Sequence, residues 1–144
     1  MRRMKTSARN RFTGTVTAVR SGAVNDEIDI ALPGGIALSA VVTHESTVAL
    51  GLEPGVEAIA LVKAPWVVLV TEADGIRFSA RNRFSGLVRS VERGAVNATV
   101  ELAVGDLTLA AVVTNDSVDE LGLAEGVAAT ALFKASHVIL ATRA

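Results

Sequence analysis

The chain is built from short runs in which apolar and polar positions alternate. Phe12, Gly14, Val16 and Ala18 are separated by Thr13, Thr15 and Thr17, the period of two that marks a half-buried strand. Ile28, Ile30 and Leu32 alternate with Asp29 and Ala31. Pro33-Gly34-Gly35 interrupts, and Ile36, Leu38, Ala40 and Val42 resume the alternation, which predicts a hairpin. His44-Glu45-Ser46 has the residue types that cap a helix, and Gly51 stands where a helix-ending glycine belongs, so one short helix is predicted here. Glu53-Pro54-Gly55 turns the chain again, and Val56 to Lys63 and Trp66 to Thr71 form two further strands.

The same pattern is written twice. Ser7-Ala8-Arg9-Asn10-Arg11-Phe12 recurs letter for letter as Ser79-Ala80-Arg81-Asn82-Arg83-Phe84, and Gly22-Ala23-Val24-Asn25 as Gly94-Ala95-Val96-Asn97, both 72 residues on. A one-residue deletion near Pro33-Gly34-Gly35 changes the offset to 71. Ala40-Val41-Val42-Thr43 then recurs as Ala111-Val112-Val113-Thr114, and Lys63-Ala64 as Lys134-Ala135. Over residues 7–33 and 35–71, 33 of 64 aligned positions are identical. Two halves this alike share a fold. They divide at the polar stretch Thr71-Glu72-Ala73-Asp74-Gly75 into residues 1–72 and 73–144. Five short strands and a small helix in each half predict an all-β protein: two tandem five-stranded Greek-key barrels of the OB kind, each with one short helix.

Composition narrows the choice of function. Half the residues are hydrophobic, and the formal net charge is −1, so bulk electrostatics give no reason to expect nucleic acid or an anionic membrane as partner. The chain has no cysteine, which removes disulfides, thiolate chemistry and cysteine metal sites together. Phe12, Trp66, Phe78, Phe84 and Phe133 are the aromatics, too few for a surface that stacks bases. Ala58 to Val70, the most apolar stretch, contains Lys63 and Pro65 and falls short of the ~20 residues that span a bilayer. No apolar run follows the basic start Met1-Arg2-Arg3-Met4-Lys5-Thr6, so a cytoplasmic location is expected. Small units rich in valine and alanine are marginal alone, so an obligate homo-oligomer is expected, of an order that composition does not fix.

Catalysis has little to work with. His44 matches Asn115 and His137 matches Trp66, while Asp26, Glu27 and Asp29 match Ala98, Thr99 and Glu101. No base and no carboxylate pair is held by both halves, so an enzyme or a hard-cation cage is not expected. Both halves do keep Ser7, Arg9, Asn10, Arg11, Thr43, Ser46 and Lys63, as Ser79, Arg81, Asn82, Arg83, Thr114, Ser117 and Lys134. Every one donates hydrogen bonds and none is acidic, which is the chemistry of an anion site. A tetrahedral dianion accepts about eight hydrogen bonds, more than one small unit supplies, so a site across an interface is attractive. Plainer roles stand beside this one. Thr43 and Ser46 cap a helix, Arg9, Arg11 and Lys63 are solvated, Ser-Ala-Arg-Asn marks strand pairing between repeats, and Gly22 to Asn25 is a turn. Against them, solvated positions such as Arg20/Glu92 and Glu57/Ala128 have drifted between the halves, and the donors have not.

Ser-Ala-Arg-Asn, Gly-Ala-Val-Asn, Val-Val-Thr-x-x-Ser, Leu-Gly-Leu and Lys-Ala, in this order and met twice, resemble the molbindins, the small molybdate-binding proteins of the Mop type, in their tandem di-Mop form. The resemblance covers residues 7–71 and 79–142. It implies an OB-like barrel per repeat, a homotrimer, and bound molybdate or tungstate for intracellular molybdenum storage and homeostasis, with no catalytic cofactor and no cation held directly. It also implies intersubunit sites. One subunit supplies Ser7, Ala8 and Arg9, or Ser79, Ala80 and Arg81. Its neighbour supplies Thr43, Ser46, Lys63 and Ala64, or Thr114, Ser117, Lys134 and Ala135. A second kind of site, near the symmetry axis, would use Gly22, Ala23, Val24 and Asn25, or Gly94, Ala95, Val96 and Asn97. The chain carries no helix-turn-helix and no Gly-x-x-x-x-Gly-Lys loop, so it is expected neither to read DNA nor to hydrolyse ATP. The rival class is an OB-type nucleic-acid or protein-interaction module using Arg9, Arg11, Arg81 and Arg83.

Overall fold

A computed structural model describes residues 4–144. The first repeat forms β1 (Asn10–Ser21), β2 (Asn25–Leu32), β3 (Ile36–Thr43), α1 (His44–Leu50), β4 (Glu57–Val62) and β5 (Val68–Val70). The second forms β6 (Asn82–Arg93), β7 (Asn97–Val104), β8 (Leu107–Thr114), α2 (Asn115–Leu121), β9 (Ala128–Phe133) and β10 (Ile139–Ala141). The predicted hairpins, helices and strands are therefore present in both halves, with single 3-10 turns at Ala64–Trp66 and Ala135–His137 shortening the last strand of each. The deletion falls in the β2–β3 hairpin. Pro33–Gly35 fills it in the first half, with Gly34 and Gly35 at positive φ, and Gly105-Asp106 replaces it in the second.

The strands make two antiparallel five-stranded sheets, ordered β10-β4-β1-β2-β3 and β5-β9-β6-β7-β8. The last strand of each repeat thus joins the sheet of the other. Ile139, Leu140 and Ala141 lie opposite Leu61, Ala60 and Ile59, and Val68, Leu69 and Val70 opposite Leu132, Ala131 and Thr130. The sequence boundary near residue 72 separates the repeats, whereas each sheet draws on both of them.

β1 serves two partners in turn, β4 from Asn10 to Thr15 and β2 from Thr15 to Ser21. A bulge between Val16 and Ala18 accompanies the change, as one between Val88 and Ser90 does in β6, and bulges of this kind increase twist and bend the strand. Gly14 is required at the bend, because a Cβ there would collide with the Ala31 carbonyl; Gly86 stands in the same relation to Ala103. One hydrophobic core runs through both halves. Phe12 and its counterpart Phe84 meet at its centre with ring centroids 6.1 Å apart, and Phe133 packs edge-on to Phe84 at 5.3 Å. No helix among the described residues is long and apolar enough to cross a membrane.

Two buried asparagines join the halves directly. The Asn10 amide donates to the Ala110 carbonyl at 2.8 Å and accepts from the Ala110 N–H at 2.7 Å. Asn82 does the same to Ser39, at 2.8 Å in each direction. Each side chain imitates a peptide group and pairs with the strand of the other sheet. This is the role of pairing between repeats, and it withdraws Asn10 and Asn82 from the set of anion donors.

Candidate functional site

The repeated donors gather at two places in each half. At the first, Asn10 pairs with Val62, so the next residues out, Arg9 and Lys63, leave neighbouring ends of β1 and β4. Both are exposed. Lys63 Nζ lies 5.5 Å from the centre of the Trp66 ring, a cation–π contact, and Trp66 in turn packs on His137 at 4.9 Å. In the second half Asn82 pairs with Phe133, which brings Arg81 and Lys134 together in the same way. Ser7 and Ser79 are exposed beside them, Ala8 and Ala80 half-buried. Ala64 and Ala135 are buried, so any part these two play is a backbone one.

The second place lies at the far end of β1. Ser21 pairs with Asp26 there, and Asn25 with Thr43. Thr43 Oγ1 accepts the Ser46 N–H at 3.1 Å and donates its own proton to Ser46 Oγ at 2.8 Å. Thr114 and Ser117 repeat both bonds, at 3.1 and 2.9 Å. Capping and ligand binding are therefore compatible. Thr43 does the capping, and the proton of the Ser46 hydroxyl, which here only accepts, is left to donate outward. The turn Gly22 to Asn25 spends much of its backbone internally. The Gly22 N–H donates to Asn25 O at 3.0 Å and the Val24 carbonyl accepts from His44 N–H at 2.9 Å. Gly94 and Val96 do the same. What the two turns present to solvent is chiefly Val24 and Val96, 71% and 70% exposed.

The structure brings Arg9 together with Lys63, and Thr43 with Ser46 and the Gly22–Asn25 turn. Within one repeat it does not bring Thr43 and Ser46 to Lys63, because the length of β1 lies between them. The neighbour that Lys63-Ala64 finds instead is the other repeat, since the Ala64–Trp66 turn packs on β8.

Charge around these groups is unequal. Among the described residues, Arg9, Lys63 and Lys134 have no carboxylate partner. Arg9 reaches only the Thr99 hydroxyl, at 3.3 Å. Arg81, its counterpart, meets Glu27 at 2.5 Å. Glu27 also binds Arg20 at 3.1 Å, and Arg20 forks onto both oxygens of Asp29 at 2.7 and 2.8 Å. Hydrogen bonds from Arg20 hold the Asp29 carboxyl below the usual carboxylate range, and the two carboxylates, Asp29 first, raise the Arg20 guanidinium above its ordinary value. Beneath the first turn, Asp26 is fully buried. Burial would raise its carboxyl, but hydrogen bonds from Thr47, His44 and the Gly22 N–H outweigh that and hold it low. His44 Nδ1 lies 2.9 Å from Asp26 Oδ2. Comparison of the halves passes over Glu27, Asp26 and Arg20, because none of the three is repeated. The signal that could have found them is the reverse one, an ionisable residue in one half opposite a neutral or oppositely charged residue in the other.

With this arrangement in view, comparison with known proteins is decisive. The TOBE domain profile matches residues 6–69 and again residues 79–140. The chain belongs to the TOBE family. Its pair of TOBE domains has the tandem di-Mop arrangement of the molbindins, as the motifs indicated. It is 51% identical over 139 residues to the molybdenum-pterin-binding protein MopA of Rhodobacter capsulatus, covering 96% of this chain and 52% of MopA. It is 47% identical over 139 residues to the molybdenum transport protein ModE of Azotobacter vinelandii, covering 96% of this chain and 51% of that protein. The chain therefore spans about half the length of the curated relatives it matches. A solved structure of the cytoplasmic molybdate-binding protein ModG, with molybdate bound, superposes with a TM-score of 0.95 at 52% identity, covering 97% of this chain and 100% of ModG. The two curled TOBE sheets are the tandem OB-like fold of that protein. These relatives are named for binding and transport.

Proposed function

We propose that this protein binds molybdate or tungstate, as a cytoplasmic homotrimer that stores or buffers the oxyanion. The observation that carries the reading is the end-to-end likeness to ModG, a protein described with molybdate in place. The geometry supports it from below. A doubly charged tetrahedral oxyanion needs fixed cations and hydroxyl donors and no competing carboxylate. Among the described residues Lys63 and Lys134 lack one, and Ser46 and Ser117 each keep a proton to give. The charged end and the hydroxyl end of each repeat stand at opposite ends of a long strand. An anion that uses both must therefore draw one of them from outside that repeat, from the other repeat of the chain or, as the resemblance implies, from a neighbouring subunit. The resemblance assigns Lys63 and Ala64 to the same wall as Thr43 and Ser46, opposite Ser7, Ala8 and Arg9. Strand pairing sets Lys63 beside Arg9 instead, so we place Ser7, Ala8, Arg9, Lys63 and Ala64, or their counterparts, on one wall and a Thr–Ser pair on the other. The turn Gly22 to Asn25 and its counterpart Gly94 to Asn97 would serve a second site near the trimer axis through the backbone groups they have not spent.

Trp66 is the sole tryptophan and touches Lys63, so its fluorescence reports on the charged wall. Titration with molybdate in the presence of excess sulfate should change that signal saturably, and metal analysis of the washed protein should find retained molybdenum. Sedimentation equilibrium should give about three times the 14.9 kDa chain mass. A monomer, or retention that sulfate abolishes, would overturn the reading.

A further inference from the structure

The two arginines that immediately precede the long strands are identical in sequence context but not in company. Arg9 faces Thr99 and Arg81 faces Glu27, and residues 27 and 99 are counterparts at the repeat offset of 72. Glu27 is held from behind. Its second oxygen takes Arg20 Nε, and Arg20 is clamped by both oxygens of Asp29, which Ser39 Oγ also contacts at 3.2 Å. In the second half the counterparts of Arg20, Glu27, Asp29 and Ser39 are Glu92, Thr99, Glu101 and Ala110, and no such chain forms among the described residues. Glu101 is occupied by Ser90, at 3.1 Å.

We propose that Glu27 is a built-in competitor for Arg81, a carboxylate that occupies the guanidinium an oxyanion would otherwise take, so that sites using Arg9 fill before sites using Arg81. The proposal rests on the oxyanion reading above and adds an order of filling to it. To engage Arg81, molybdate must displace a carboxylate that Arg20 holds in position. To engage Arg9 it displaces only a hydroxyl. Glu27 is thus a positioning residue that acts on the ligand through Arg81. Arg81 and Glu27 are each partly exposed, so the latch is a modest one, and salt weakens it.

The test is a reciprocal exchange, Glu27→Thr and Thr99→Glu, read by calorimetric titration of the full chain with molybdate at low and high salt. In the wild type two affinity classes are expected, differing by about two- to fivefold at low salt, the span of an exposed ion pair, and converging as salt rises. Glu27→Thr should tighten the weaker class and merge the two, while Thr99→Glu should weaken the tighter class. Thermal melting of each variant checks that it is folded. Normal wild-type binding that Glu27→Thr leaves unchanged or weakens would overturn the competitor and leave the oxyanion reading standing. A wild type that takes up no molybdate would overturn both.

Discussion

The two halves agree in what builds the fold and differ in what surrounds the donors. Phe12 and Phe84, Asn10 and Asn82, Gly14 and Gly86, and the Thr–Ser caps do the same work in each. Beneath the first turn, however, lies a polar knot of Asp26, His44 and Thr47. Its counterparts are Ala98, Asn115 and Val118, and Asn115 donates to the Gly94 carbonyl while its own Oδ1 is buried without a partner. Beside the first Lys-Ala stand Pro65 and Trp66, beside the second Ser136 and His137. Duplication supplied two equal scaffolds. The ionisable residues that distinguish them have little effect on the backbone and a direct one on charge, so the halves can diverge in binding while remaining superposable in fold.

The largest expected effect tests the sameness. Asn10→Ala leaves both polar groups of buried Ala110 unpaired and should cost about 2–4 kcal/mol in urea unfolding. Asn82→Ala should cost about 1–2 kcal/mol, since its partner Ser39 is only half-buried. Equal losses below about 0.5 kcal/mol would show that the asparagines do not hold the halves together. Next, Lys63→Ala and Lys134→Ala should each weaken molybdate binding roughly ten- to a hundredfold, the loss of a charge-assisted bond. Retention of affinity in both variants would remove the lysines from the site. Ser46→Ala and Ser117→Ala remove neutral donors, and a loss of about 0.5–1.5 kcal/mol is expected from each. The cap on Thr43 survives these changes, so circular dichroism should be unaltered. If binding falls only where helix content falls, the serines serve the fold alone.

The smallest effect sharpens the difference. Asp26 and Asp29 are both held below the ordinary carboxylate value, which is near 3.9 in an unfolded chain. Their contribution to stability is complete above that value and is lost as pH falls through it towards the lower folded value. Unfolding midpoints should therefore drop below about pH 4, and Asp26→Asn should shallow that drop. The second half has Ala98 in place of Asp26, so Ala98→Ser should leave the slope as it is. An acid slope identical in the wild type and Asp26→Asn would mean that the polar knot contributes nothing to it.

Much of this was legible in the sequence. Alternation at Phe12–Ala18 and Ile28–Val42 predicts the strands, Gly51 the helix end, and the repeat the duplication. The strand exchange was not legible, and the reason is local. Val67-Val68-Leu69-Val70-Thr71 and Val138-Ile139-Leu140-Ala141-Thr142 are near copies, and either suits the edge of β4 or of β9. Only the tertiary path chooses between them. Asn10 and Asn82 show the converse. Their repetition was visible, but an inward-facing amide and an outward-facing ligand leave the same trace in the letters. Thr43 and Ser46 were ambiguous between cap and ligand because a hydroxyl caps with a lone pair and would bind an anion with its proton, and the letters do not tell the two apart.

The exchanged strands also bear on how the chain is made. Among the described residues the outer edge of β4 is covered by residues 139–141 alone, so until the second repeat is nearly translated the first sheet has all its strands but one and an open edge. That strand follows every other strand of both repeats. Until then the edge offers unpaired backbone to any extended neighbour, including the same strand of another nascent chain. The segment that closes the first sheet is thus the last strand of the two repeats to be translated, and a ribosome that stops short of residue 139 releases a first half with its edge exposed.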